Sequence, residues 1–392
     1  MHRRDLFKAA AAVPGGIAAA GIARAAGLQK QIRITGLETE LKERREPSGR
    51  VTYDAIHKFD GRGGSVAIRL LTDAGITGWA TSSFGTIGGA PRVLQTILEQ
   101  EVKPVLMGQD PAFPKKIRAD LWAALEYHGV QGVVQFAMAA VDIAVWDIIG
   151  KAAGQPVYKL IGGFRDRMPV YSMCGWYYEE KPNDLSLYKR ALEDAMSQGY
   201  RAVKIKVGKF PIDDDVKRIR LAQDVVGKDR RIMVDANQVF NRNEAMRRGR
   251  VYQEMGCYWF EEPLPPHDVE GCTELARELD IRIATGENLN TKFAFSDLIS
   301  RHGADVVQPD NRRAGGVTEW MEIAAVADAH GLELASHGGG ATNMNMLLAM
   351  PNAIYMETSG ARKMIEGEVL APEEPGMSSE VPAAEIQKYR IA

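Results

Sequence analysis

Six residues able to bind a cation or move a proton sit at the ends of short apolar runs. The runs are "RIMVDAN", "CYWFEEP", "IRIATGEN", "ADVVQPD", "LELASHG" and "AIYMETS". Their polar ends are Asp235, Glu261, Glu287, Asp310, His337 and Glu357, spaced about 20 to 27 residues apart. Asp235, Glu261 and Glu287 close three consecutive runs. Three carboxylates with no Cys/His cluster beside them make a hard-oxygen site, which suits Mg2+, with Mn2+ as the alternative. Glu262 competes with Glu261 in "FEEP". Alternation along a strand puts neighbours on opposite faces, so only one of the two can be a ligand.

Lys204 and Lys206 stand two apart in "VKIKVG" and so share one face of a strand. Two neighbouring ammonium groups repel, which is expected to lower at least one pKa towards neutrality and make it a general base. Asp310 and His337 end adjacent runs, so the carboxylate can orient the imidazole and raise its pKa. The Gly338-Gly339-Gly340 run leaves room for a substrate beside them. Glu357 is placed to hydrogen-bond a substrate carboxylate. Taken singly, each of these residues could be a helix cap, a salt-bridge partner or a solvated side chain. Their joint occurrence at successive run ends selects the chemical reading.

The spacing also names the elements that must carry them. A strand, a helix and two turns occupy about this many residues, so the series describes a βα-repeat barrel with its site at the C-terminal rim. Eight strands are expected to end near Cys174, Val207, Val234, Phe260, Ala284, Val307, Ala335 and Met356. Helical stretches between them, such as "VKRIRLAQDVVG" and "VTEWMEIAAVADAHG", end in Gly as helix C-termini often do. The 392 residues allow one barrel of roughly 200 to 250 residues and a smaller domain. Residues 29–163 read as that domain, of α+β type: two strand patterns with a "DAGITG" hairpin turn, then a helical block beginning "PRVLQTILEQEVKPVLMG". Its last helix, "VVQFAMAAVDIAVWDIIGKAAG", is apolar on most faces and is expected between the two domains. Residues 164–360 form the barrel, and the Pro/Gly/Glu-rich residues 361–392 are expected to run back over the first domain.

Two loops are expected over the barrel mouth. "LKERREPSGRVTYDAIHKFDGRGG" reads as a mobile flap, with Arg44, Arg45 and Arg50 as candidates to pair with a distal carboxylate. "TSSFGTIGGA" offers Phe84 and the Ser82 and Ser83 hydroxyls. Asn237, two residues past Asp235, is a further candidate substrate contact.

Hydrophobic residues make up 45% of the chain, charged residues 26%, and the net charge is -2. This is ordinary soluble composition and gives no electrostatic footprint for nucleic acid or an anionic membrane. Cys174, Cys257 and Cys272 have no metal-ligand spacing and read as reduced thiols. The first residues differ from the rest. Arg3 and Arg4 precede a weakly apolar Ala-rich run broken by Pro14, Gly15 and Gly16, and Ala23-Arg24-Ala25 has small-x-small cleavage character. This segment, residues 1–25, resembles a twin-arginine export signal. It predicts a periplasmic enzyme, with no membrane span in the mature chain.

Together, "KIKVG", "VDAN", "FEEP", "ATGEN", "QPDNRRAGG", "ASHGG" and "YMETS" resemble the mandelate racemase branch of the enolase superfamily, over most of the chain from about Gln31 to Gly360. The resemblance implies a modified (β/α)7β TIM-type barrel with an α+β capping domain. It implies Asp235, Glu261 and Glu287 as Mg2+ ligands and Lys206 as one base, with Lys204 beside the substrate carboxylate. It also implies a His337–Asp310 dyad as the opposed acid/base and Glu357 as hydrogen-bond donor to the forming enediolate. The expected reaction is removal of the proton alpha to a carboxylate. Dehydration of an aldonic or aldaric acid to a 2-keto-3-deoxy acid is the first reading, because the finer phrasing is similar to acid-sugar dehydratases of the galactarate/talarate type. Racemisation or epimerisation of a 2-hydroxy acid is the alternative, and a metal-containing periplasmic binding protein without turnover is a third. The expected partner is a small-molecule carboxylate, and the expected assembly is a homo-oligomer.

Overall fold

The computed structural model describes residues 31–44, 46–47, 49–84, 90–178, 184–359 and 363–378. Residues 1–25, expected to be an export signal, and Arg45 lie outside the described residues. The described residues open with a three-stranded antiparallel sheet of β1 (Ile34–Arg44), β4 (Gly63–Thr72) and β5 (Thr77–Phe84), in the order β1-β4-β5. Between β1 and β4 the chain forms a small ribbon of β2 (Thr52–Tyr53) and β3 (Lys58–Phe59). The β4–β5 turn is closed by Thr72, whose hydroxyl donates to Ile76 O at 2.7 Å and accepts from Ile76 N at 3.1 Å.

The sheet lies on the helix Val133–Ala153, most of whose residues are buried. Contact is close enough that a Cβ on Gly78 would stand 2.1 Å from Ala144 O, so the strand needs glycine there. This helix has the length and hydropathy to cross a bilayer, but 83% of that window is buried inside the fold. Its far side meets the barrel helix Gly316–Ala329, where Trp146 Nε1 donates to Thr318 Oγ1 at 2.9 Å. The segment expected to be helical from residue 91 onward is α-helical over Ala90–Ile97, π-helical over Leu98–Val102 and α-helical again over Lys103–Leu106. Pro104 lacks the N–H that a continuous helix would use, and a π-turn absorbs the break.

The barrel follows. Its parallel strands are β6 (Arg167–Gly175), β7 (Ala202–Lys206), β8 (Arg231–Asp235), β9 (Trp259–Glu261), β10 (Arg282–Thr285), β11 (Val306–Val307), β12 (Glu333–Ser336) and β13 (Ala353–Thr358). Pairing of β13 with β6 closes the ring, with Met356 opposite Val170. Among the described residues one helix lies between each successive pair of these strands, from Ser186–Ser197 to Ala341–Leu348, which is the (β/α)7β pattern. Inside the barrel, Tyr171, Met233 and Trp259 pack with Ala202, Ala284, Val306 and Ala335 in a separate buried cluster. That layer plugs the barrel and gives the site above it a solid floor.

After β13, β14 (Glu368–Leu370) pairs antiparallel with the start of β6. The chain then returns to the first domain. Gly376 N donates to Gln155 O at 3.0 Å, and Met377 N to Asp147 Oδ1 at 2.8 Å.

Candidate active site

Three strand ends in register set the centre of the site. Lys206 pairs with Asp235 across β7 and β8, and Asp235 with Glu261 across β8 and β9. Their side chains therefore rise side by side above the apolar plug. Lys206 Nζ donates to Asp235 Oδ2 at 2.6 Å. Lys204 Nζ donates to Glu261 Oε1 at 2.5 Å and Glu357 Oε2 at 2.6 Å, and lies 3.4 Å from Asp235 Oδ2. Neutral donors complete the shell: Tyr171 OH to Glu357 at 2.9 Å, and Trp259 Nε1 and Gln308 Nε2 each to Glu261 Oε2 at 3.0 Å.

Carboxylates outnumber ammonium groups here, and the titration behaviour follows. Burial works against the charge on Lys206, but Asp235 and Glu287 together outweigh it and the pKa is raised. Lys204 is raised well above its ordinary value, because Glu261 and Glu357 overcome its burial. This corrects the expectation that the lysine pair depresses itself: Lys204 does pull Lys206 down, but by less than Asp235 raises it. Asp235 and Glu357 are held at about 2, in each case against burial, chiefly by Lys206 and Lys204 respectively. Burial pushes Glu261 to about 7 despite Lys204, and Asp235, Glu287 and Glu357 add to the rise. One carboxylate is thus under-neutralised, which is where a further cation is wanted.

The two acidic neighbours in "FEEP" diverge as alternation requires. Glu261 faces Lys204, whereas Glu262 accepts from Asn288 at 2.8 Å and Gln238 at 3.0 Å. Glu287 lies 6% exposed at the end of the neighbouring strand, with its Oε1 3.4 Å from His337 Nε2. Among the described residues no three Asp, Glu, His or Cys side chains are drawn in as a ready-made cage. The donor chemistry of Asp235, Glu261 and Glu287 nevertheless fits a hard divalent cation: all-oxygen, buried and short of positive charge. Asn237 Oδ1 is buried beside them with no hydrogen-bond partner among the described residues.

Across the mouth, His337 Nδ1 lies 2.8 Å from Asp310 Oδ2. Burial opposes the imidazolium, but Glu287 and Asp310 outweigh it and the pKa of His337 is raised. Asp310 is fully buried and carries a guanidinium fork: Arg312 Nη2 reaches Oδ2 at 2.5 Å and Nε reaches Oδ1 at 3.1 Å. Arg312 Nη1 extends to Ser83 O at 3.1 Å and Ser83 Oγ at 2.9 Å. The dyad is therefore tied to β5 of the first domain.

These groups open onto a cavity of about 540 Å³ whose wall includes Lys204, Lys206, Asn237, Glu287, His337 and Glu357. The first domain lines it with Asp54, Ile56, His57, Phe59, Ser83 and Phe136. Arg44 instead ends β1, and Arg50 stacks its guanidinium 5.9 Å from the Tyr178 ring; neither is among the wall residues. Of the second loop, Ser83 reaches the wall and Ser82 is turned into the core, while the Phe84 side chain lies outside the described residues. Sequence reasoning missed Trp176, over which Lys206 Nζ sits at 5.0 Å, and Arg312, Gln308 and Tyr171. Their partners are distant in sequence, and only the doubled Arg of "QPDNRRAGG" gave any signal.

Residues 58–162 match the N-terminal domain of mandelate racemase/muconate lactonizing enzyme, and residues 187–384 match the enolase C-terminal domain-like family. The chain is 32% identical over 334 residues to 3,6-anhydro-alpha-L-galactonate cycloisomerase of Streptomyces coelicolor, covering 83% of this chain and 90% of that protein. It is 28% identical over 341 residues to arabinonate dehydratase of Saccharolobus solfataricus, with the same two coverages, 83% and 90%. Among solved structures, L-talarate dehydratase from Polaromonas sp., complexed with Mg and L-glucarate, superposes with a TM-score of 0.84 at 27% identity, covering 92% of this chain and 98% of that one.

Proposed function

The chain belongs to the mandelate racemase/muconate lactonizing enzyme family of the enolase superfamily, and from that premise we propose that it is a Mg2+-dependent acid-sugar dehydratase. It removes the proton alpha to the carboxylate of an aldonic or aldaric acid and expels water to give a 2-keto-3-deoxy acid. The observation that carries the reading is one cavity lined by both Lys206 and the Asp310-held His337, with Glu287 and Glu357 on its wall and Asp235 hydrogen-bonded to Lys206. A site that only bound its ligand would need no such opposed proton carriers.

The residues divide the work. A divalent cation held by Asp235, Glu261 and Glu287 would free Lys206 from Asp235 and stabilise charge developing on the substrate carboxylate. Lys206, once released, takes the alpha proton from one face, and His337 does so from the other. Lys204 supplies a fixed positive charge at the carboxylate, and such preorganised groups act where charge builds up. Glu357, its pKa held at about 2 beside Lys204, is ionised and accepts from Lys204 and Tyr171, which corrects its expected role as a donor. A dehydratase of an aldonate and a dehydratase crystallised with glucarate among the relatives support the substrate class.

The test is a screen of aldonates and aldarates with Mg2+ present, with keto-acid formation read by semicarbazide. A semicarbazide-reactive product that requires Mg2+ supports the proposal. Loss of optical rotation with no keto product would replace it by racemisation.

A further inference from the structure

The first domain carries a second carboxylate–imidazole pair. Asp54 is 2% exposed and spends both oxygens on the turn that follows it. Its Oδ1 accepts from Ile56 N at 2.8 Å and His57 N at 2.6 Å, and its Oδ2 lies 2.9 Å from His57 Nδ1. A carboxylate on Nδ1 fixes the tautomer and leaves Nε2 to act. Both residues line the same cavity as Lys206 and His337.

His57 belongs to the lysine side of that cavity. Its ring meets Phe59 edge-on with centroids 6.0 Å apart, Phe59 meets Trp176 at 5.0 Å, and Lys206 Nζ lies 5.0 Å over Trp176. The loop is also anchored on that side. Tyr53 N donates to Tyr177 O at 2.8 Å, and Tyr177 N to Tyr53 O at 3.0 Å. Tyr177 OH donates to Asp215 at 3.2 Å, and Asp215 also accepts from Gly208 N, two residues past Lys206. One buried network therefore positions the end of β7 and the loop that bears His57.

We propose that His57, oriented by Asp54, is the acid that protonates the departing hydroxyl when Lys206 takes the alpha proton. This rests on the dehydratase reading and deepens it. The C2 proton goes to neutral Lys206, and its electron pair passes into the enediolate. On collapse the C2=C3 double bond forms and the C3–O bond breaks. The proton on His57 Nε2 leaves with the hydroxyl as water, and the enol product tautomerises to the 2-keto-3-deoxy acid. Neutral His57 regains a proton from solvent, which its 49% exposed side chain can reach. Lys206 returns its proton to solvent. His337 lies across the cavity from the lysine wall, and His57 is the imidazole on the lysine's own side.

The experiment uses the Mg2+-loaded enzyme in deuterated water with the best acid sugar from the screen. It follows alpha-proton exchange in recovered substrate and keto-acid formation together. His57→Asn keeps a donor for Asp54, so the turn survives. This variant is expected to retain lysine-side exchange within about threefold and to lose dehydration by about 10²-fold or more, the usual worth of a positioned acid. Added imidazole should restore part of the loss. Asp54→Asn should fall between the two. Dehydration within about twofold of wild type, or exchange and dehydration falling together without imidazole rescue, overturns the role of His57. If wild type neither exchanges nor dehydrates any acid sugar, the dehydratase reading itself has failed, and the two failures are told apart.

Discussion

His337 and His57 meet one cavity from two domains, each with Nδ1 on a carboxylate, at 2.8 Å and 2.9 Å. Their supports differ. His337 follows β12, and its partner Asp310 follows β11, is fully buried and is held besides by Arg312 and by two backbone amides, those of Arg312 and Arg313. His57 stands in a four-residue link between two-residue strands, held by one carboxylate and a pair of backbone hydrogen bonds to Tyr177. The barrel-rim pair is fixed by a lattice of parallel strands that cannot shift one residue without breaking many contacts. The loop pair is fixed locally and can be altered without disturbing the barrel. On the proposed reading, alpha-proton removal therefore belongs at the rim, and protonation of the departing hydroxyl belongs to the loop.

The largest effects should come from breaking the rim. Exhaustive chelation is expected to abolish activity and added Mg2+ to restore it; full activity after chelation would remove Asp235, Glu261 and Glu287 from the metal role. Asp235→Asn should weaken Mg2+ binding measured directly by calorimetry. It should also free Lys206 from its only carboxylate within hydrogen-bond distance among the described residues. Lys206→Ala is expected to lower turnover by at least about 10³-fold and to erase alpha-proton exchange from the lysine face. His337→Asn should erase exchange from the opposite face only. If either variant lost exchange on both faces, the two walls would not be independent.

A smaller effect sharpens the difference in support. Asp310→Asn keeps the imidazole in place but weakens its orienter, so a loss of about 10- to 100-fold in turnover is expected, less than for the histidine itself. Arg312→Lys should add a distinct signature. Lysine cannot span Asp310 and Ser83 as a planar fork does. The variant should therefore raise KM more than it lowers kcat, because the tie between the dyad and β5 is loosened. An unchanged KM would show that this tie does not hold the cavity wall.

The same contrast explains what was legible in the sequence. Asp235, Glu261, Glu287, Asp310, His337 and Glu357 all lie at a strand's C-terminal end or within three residues past it, and a βα repeat announces such positions by its period. The strand ends near Val234, Phe260, Val307 and Met356 follow from the same apolar runs. Contacts set by three-dimensional convergence left no period. Nothing in "VVQPD" says that Gln308 turns to Glu261, or that Trp176 lies under Lys206. The flap shows the limit most clearly. Its arginines drew attention because charge is visible in a sequence, while the wall residues are Asp54 and His57, whose D-x-x-H spacing makes sense only once the turn between them is seen. The lysine pKa values run opposite to the sequence expectation because a strand pattern shows which lysines are neighbours and not how many carboxylates surround them.

The smallest expected effect tests the seam that joins the two regions. Asp142, on the helix Val133–Ala153, accepts from Thr318 N at 2.8 Å and Thr318 Oγ1 at 2.5 Å, and so caps the barrel helix Gly316–Ala329 from the other domain. A Cβ on Gly316 would stand 2.7 Å from Asp142, so the seam admits only glycine there. Burial raises Asp142 from 3.8 to about 6, against the pull of Thr318 and Arg118. The native state thus holds a proton that the unfolded chain releases above pH 3.8. This group's contribution to stability is complete below that pH and is lost as pH rises through about 6. Two pKa units correspond to roughly 3 kcal/mol. Denaturant unfolding of wild type between pH 4.5 and pH 7 should therefore show a downward component that Asp142→Asn lacks, since the amide still accepts from Thr318 N and never ionises. Asp142→Asn should equal or exceed wild type at pH 7. Asp142→Ala should lose about 1 kcal/mol or more at every pH, as an uncapped helix does. Identical pH slopes for wild type and Asp142→Asn would mean that Asp142 stays ionised in the seam, with Arg118 as a stronger counter-charge than burial allows.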